Sequence, residues 1–144
     1  DRAASVMTHA PELQHFFGEA NFPHGCMYGE CSLLASFAAM SPHKIQALFD
    51  AGRNRQLDRL FGLQREFHDM MTDVLSPVQA EERIDGAYDK MLARLGGLEE
   101  MPLRLLSPYQ CFSEEQYQAC KRILHERYPD WLTEAARARA GGAR

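Results

Sequence analysis

The chain has 144 residues, 45% of them apolar and 25% charged, a globular mixture that excludes a largely disordered chain and suffices for one modest core. The formal charge of −4 excludes a domain held on nucleic acid by a clustered basic face. Apolar runs fall short of the ~18 residues that span a bilayer, and the first ten residues carry no apolar h-region, so neither a membrane partner nor a signal peptide is expected. The four cysteines, Cys26, Cys31, Cys111 and Cys120, are too sparse for a disulfide framework and read as reduced thiols of a cytoplasmic protein. A first residue of Asp1 leads us to expect a processed or truncated polypeptide.

Residues 1–28 are broken by Pro11, Gly18, Pro23 and Gly25, and Leu13, Phe16 and Phe17 suit a short helix or a strand equally. The small-residue run Gly29–Met40 predicts one buried element, a strand or the start of a helix, packed closely by Ser32, Ala35, Ser36, Ala38 and Ala39. Helical signals then take over. Ser41-Pro42 reads as an N-cap followed by proline at the first helical position, where its missing N–H is no loss. Ile45, Leu48 and Phe49 form the stripe of that helix, and Gly52 is expected to make its left-handed stop.

A second helix over 54–75 carries Leu57, Leu60, Phe61, Phe67, Met71, Val74 and Leu75, and Ser76-Pro77 ends it. A third over 80–95 carries Ile84, Ala87, Tyr88, Met91 and Leu95, closed by Gly96-Gly97. Leu98–Phe112 reads as a connector containing Pro102 and Pro108. Ser113 with Gln116 predicts a capping box for a fourth helix, whose buried face is Tyr117, Cys120, Leu124 and Tyr128. Pro129 interrupts it, a last helical stretch is expected from Asp130 to about Ala138, and the Ala/Arg/Gly ending reads as a frayed tail. Helices following one small-residue strand need a sheet to cover, and the pattern supplies almost none.

The order of these signals carries a resemblance. Gly29-x-x-Ser32-x-x-Ala35-Ser36, with Gly52 sixteen residues after Ser36, resembles the eighth barrel strand and following helix of the dihydrodipicolinate synthase/N-acetylneuraminate lyase family. The likeness runs unbroken from Gly29 to about Met71 and resumes at Ile84–Gly97, where Lys90 and Gly97 keep the family spacing. It continues through Leu103-Arg104-Leu105-Leu106-Ser107-Pro108, which is similar to the family's Arg-Leu-Pro-x-x-Pro segment, and covers about 29–128. Phe17-Gly18-Glu19 corresponds to the Gly-Asp that ends the family's seventh strand, but the gap from Gly18 to Gly29 is too short for a full helix and loop. Ser36 stands where the family has asparagine, Cys31 where it has isoleucine, and Leu106 where it has proline.

The resemblance implies an α/β fold: the C-terminal portion of a (β/α)8 TIM barrel plus a helical extension, in a chain that is itself mostly α. Residues 1–52 would be the end of the barrel, with the last strand at about 29–36 and its helix at about 42–51. Residues 53–132 would be the extension and 133–144 the tail. It implies a parent enzyme that forms a Schiff base with pyruvate or a related 2-oxo acid, for aldol cleavage, condensation or dehydration, and that assembles as a homo-oligomer without a cofactor. The family's Schiff-base lysine, proton-relaying tyrosine and carboxylate-binding hydroxyl pair lie upstream of this region. Lys44, Lys90 and Lys121 match none of these positions, so no catalytic residue is expected in this chain. What carries over is a place beside the lysine: Cys31, with Gly29 and Ser32 as neighbours, near a strand end. Chemistry in such barrels sits at carboxyl strand ends.

Other readings compete for the same residues. His24, Cys26, Glu30 and Cys31 are metal-ligand types, but their spacing matches no closed zinc motif and no metal is expected. Cys31 as a nucleophile would need His24 or His43 as base and a lowered thiol pKa. Arg53, Arg55, Arg59 and Arg65 interleave with Asp50, Asp58, Glu66 and Asp69, which reads as a solvated, ion-paired face rather than an anion site. Tyr109, Phe112, Tyr117, Tyr128 and Trp131 read as packing for the connector and terminal helices. The alternative to an enzyme part is a non-catalytic helical interaction module, or a degenerate family member that has lost its amine.

Overall fold

In the computed structural model, which describes residues 2–141, Phe16–Gly18 (β1) and Ser32–Leu34 (β2) pair as parallel strands. The register sets Phe16 opposite Ser32, Phe17 opposite Leu33 and Gly18 opposite Leu34. Parallel strands need a crossover of about a dozen residues, and 19–31 provide one with a seven-residue helix, Phe22–Tyr28. The short gap therefore holds a complete, shortened crossover. Two residues that read as breakers are used inside it. Pro23 falls in the first turn, where no N–H is required. Gly25 lets the helix close on the strand, because a Cβ there would meet the Phe17 ring at 2.7 Å.

Seven α-helices are assigned among the described residues: α1 (Arg2–His9), α2 (Phe22–Tyr28), α3 (Pro42–Arg53), α4 (Leu57–Val74), α5 (Asp85–Leu95), α6 (Glu114–Arg127) and α7 (Glu134–Gly141). Short 3-10 turns lie at Ser36–Ala39, Ser76–Val78 and Pro129–Trp131. The described residues are thus mostly helical, with two parallel strands. The small-residue run resolves into β2 followed by a 3-10 turn rather than one element. The predicted tail lies in part outside the described residues; up to Gly141 it is α7.

Two units divide the chain, one reaching Ala35 and including Lys44–His68, the other made of Ser36–His43 and the residues from Asp69 on. In the first, Phe22, Cys26, Leu48, Ala51 and Leu60 form a buried cluster, with Phe17, Cys31, Leu33, Phe49 and Leu63 packed on it. Gly52 does not make the left-handed stop expected of it. It lies in the last turn of α3, where a Cβ would be 2.6 Å from the Phe22 ring and 2.8 Å from Cys26 Sγ. The turn is made by Arg55, at φ 53°, whose N–H donates to the Gly52 carbonyl while Gln56 N–H donates to that of Ala51. That pair of bonds is the Schellman arrangement.

In the second unit, α5 ends the same way with the residue the motif prefers. Gly97 has φ +109°, its N–H donates to the Arg94 carbonyl, and Leu98 N–H donates to that of Ala93. Gly96, beside it, is required by proximity, since a Cβ would lie 2.2 Å from the Ala39 carbonyl oxygen. The Ser113–Gln116 capping box forms as expected. The Ser41 cap does not: the buried Ser41 hydroxyl has no hydrogen-bond partner among the described residues. The third predicted helix starts late, at Asp85, because the segment before it is held otherwise. Gln116 Nε2 donates to the Glu81 carboxylate at 2.6 Å, and Tyr88 donates to the Glu81 carbonyl.

Candidate functional site

Gly29, Cys31 and Ser32, the residues singled out in the sequence, line one cavity of about 380 Å³ in the first unit. Gly29 caps α2 with extended backbone, Cys31 precedes β2 and Ser32 opens it. The strand end expected near Cys31–Ser32 lies further on, because the pairing continues to Leu34. The carboxyl ends of both strands are therefore Gly18 and Leu34. The cavity also takes in Cys26, Arg53 and Arg55. Neither arginine stands out from the charged run by periodicity. Arg55 reaches the rim because the α3 stop falls on it rather than on Gly52.

Two thiols meet at this cavity, Cys26 Sγ and Cys31 Sγ, 3.8 Å apart. Burial pushes Cys31 up to about 12 and raises Cys26, so neither is the low-pKa thiol a nucleophile needs. The bases proposed for Cys31 are engaged elsewhere. His24 packs edge-on against Phe61, with ring centroids 5.8 Å apart. His43, in the second unit, donates from Nε2 to the Asp130 carbonyl at 2.8 Å. No three His, Cys, Asp or Glu side chains come together to hold a metal among the described residues.

The lysines are each committed. Lys44 Nζ lies 2.5 Å from Glu66 Oε1. Lys90 Nζ donates to the Arg104 carbonyl at 2.6 Å, and Lys121 Nζ donates to Glu99 at 3.0 Å. An amine that attacks a carbonyl has to be unprotonated and next to a carboxylate-binding site. Lys44 and Lys121 each sit against a carboxylate instead, while Lys90 lines a cavity with Arg104 and Tyr109.

The charged face of α4 carries polar side-chain pairings. Arg59 donates to Gln56, while Glu66 takes Lys44. Of the aromatics, Phe112, Tyr117 and Trp131 are buried as packing residues, whereas Tyr109 is exposed. None of the described helices is long and apolar enough to cross a membrane.

No protein-family model matches the chain, and neither does any curated protein. Among solved structures, N-acetylneuraminate lyase from Fusobacterium nucleatum superposes with a TM-score of 0.66 at 15% identity, over 92% of this chain. This chain has the fold of part of that lyase. It spans 42% of the lyase's length.

Proposed function

We propose that these residues are the C-terminal part of a Schiff-base aldolase or lyase of the dihydrodipicolinate synthase/N-acetylneuraminate lyase type. The whole enzyme would act on pyruvate or a related 2-oxo acid, by aldol cleavage, condensation or dehydration. The observation that carries this reading is the fold likeness to a lyase over 92% of the chain, in line with the ordered glycine, serine, arginine and proline positions of the sequence.

The sheet supports it independently. Parallel strands in α/β proteins are buried on both faces. Here Phe16 is 57% and Leu34 70% exposed, apolar residues on strands that have only each other among the described residues. Further barrel strands would cover them. In this reading the amine comes from outside residues 1–144. The resemblance would set Gly29, Cys31 and Ser32 near it, with the Cys31 backbone contributing to its surroundings, although they lie a few residues before the carboxyl end of β2 at Leu34. The helices from α4 on, and the connector between α5 and α6 with its exposed Leu106 and Tyr109, supply contacts between copies in a homo-oligomer. The enzyme works in the cytoplasm, in keeping with four cysteines that carry no structural disulfide, and it needs no nucleic acid, membrane, metal or cofactor.

The test is reductive trapping. The natural polypeptide that carries these residues is incubated with pyruvate and borohydride, and its intact mass is read. A covalent pyruvate adduct is expected, and a protein that stays unmodified while a known aldolase is trapped alongside contradicts the assignment.

A further inference from the structure

We propose that Cys26 and Cys31 form a reversible disulfide site, oxidised by small-molecule disulfides, that links the end of α2 to the start of β2.

The geometry brings the two sulfurs to 3.8 Å without bonding them. A disulfide needs about 2.05 Å, so the gap to close is about 1.8 Å. The chain between the sulfurs can yield that much, because residues 29–31 belong to no helix or strand. The approach is not enforced by bulk on either side. Gly25 leaves space beside Cys31 Sγ, where a Cβ would come within 3.1 Å, and Gly52 does the same for Cys26 Sγ at 2.8 Å. Access is provided as well, since both cysteines line the cavity and Cys31 is only half-buried.

The exchange balances in two steps. The thiolate of one cysteine attacks a sulfur of the small disulfide, forming a mixed disulfide and releasing one small thiol. The second cysteine then loses its proton and attacks the mixed disulfide, releasing the other small thiol. Two protein thiols are oxidised to one disulfide, and one small disulfide is reduced to two thiols. Burial holds Cys31 at about 12 and raises Cys26, so the thiolate fraction is small at neutral pH. The reaction is accordingly slow near pH 7 and speeds up with rising pH. Cys120 is fully buried and provides an internal control.

The experiment treats the natural polypeptide with oxidised glutathione and maps it after cleavage at Glu30, which separates Cys26 from Cys31 unless they are bridged. The expected result is a linked pair of peptides, lighter by about 2 Da than the two reduced peptides together. In Cys26→Ser and in Cys31→Ser the second step is impossible, so each variant keeps a bound glutathione on its remaining cysteine. The proposal is overturned if the unmutated protein instead accumulates persistent glutathione adducts at both positions, or if either thiol pairs with Cys111 or Cys120. It is also overturned if both stay reduced at a glutathione disulfide concentration that oxidises the urea-unfolded chain.

Discussion

Gly52 and Cys26 approach so closely that a single methyl group on the glycine would sit 2.8 Å from the cysteine sulfur, with the fully buried Phe22 ring 2.6 Å away on the same side. α3 packs on α2 through that glycine. Overpacking a filled core costs about 1–3 kcal/mol, so Gly52→Ala should destabilise the protein by that order despite alanine's better helix propensity. Gly62, in the middle of α4, has nothing within 4 Å of the same added carbon. There the propensity gain of about 0.5–1 kcal/mol stands alone, and Gly62→Ala should stabilise. Urea unfolding of the two variants checks both signs.

The two Schellman ends provide a paired test. α3 closes through Arg55 at φ 53° and α5 through Gly97 at φ +109°. A side chain in the left-handed region is disfavoured by about 1–2 kcal/mol, partly offset by the greater chain freedom glycine gives the unfolded state. Arg55→Gly should therefore gain up to about 1 kcal/mol. Gly97→Ala should lose at least about 1 kcal/mol, because its Cβ would also meet Ala136 N at 3.2 Å. Thermal melts of the variants, compared at one pH, give the two signs.

Ser113 and Gln116 satisfy two orphan N–H groups at the start of α6. Gln116 N–H donates to Ser113 Oγ at 3.2 Å, and Ser113 N–H donates to Gln116 Oε1 at 2.8 Å. Ser113→Ala should cost about 1 kcal/mol and Ser113→Gly only a few tenths of that, measured by chemical denaturation.

His125 supplies a pH dependence with a defined sign. Burial, then the neighbouring Lys121 cation, holds its pKa below the ordinary 6.5, with Glu99 opposing. Above pH 6.5 both folded and unfolded states carry it neutral. As the pH falls below 6.5 the unfolded state takes up a proton before the folded state does, so stability is lost. His125→Gln should flatten the unfolding free energy between about pH 7 and pH 5. A variant whose pH slope matches the parent protein's would contradict the account.

Much of the helical half was legible in the residues, and the reasons are local. The α6 cap is written in Ser113 and Gln116, and Pro77 and Gly97 mark where α4 and α5 stop. The α4 stripe shows where such reading drifts. Met70 is fully buried, keeping the phase of Leu60, Phe67 and Val74, while Met71 beside it is half-exposed. Adjacent methionines carry no side-chain signal to choose between them. The first 28 residues resisted because Pro23 and Gly25 are breakers by propensity and become useful only through tertiary placement, as a first-turn proline and as a contact with Phe17. Gly52 failed in the opposite sense, being needed for close packing rather than for its backbone. At the candidate site, Gly29, Cys31 and Ser32 were carried over from the family resemblance, and no local signal in the chain marks them. The Cys26 thiol and the Arg55 rim depend on how α2 and the end of α3 fold back, which no periodicity in the chain announces.

The measurement that bears most directly on the central claim is to locate the lysine modified by pyruvate and borohydride. The natural polypeptide is digested after trapping, and the modified peptide is sequenced by mass spectrometry. The account predicts an adduct on a lysine outside residues 1–144, with Lys44, Lys90 and Lys121 unmodified in their pairings with Glu66, the Arg104 carbonyl and Glu99. An adduct on one of those three, or none on any lysine of the polypeptide, would contradict it.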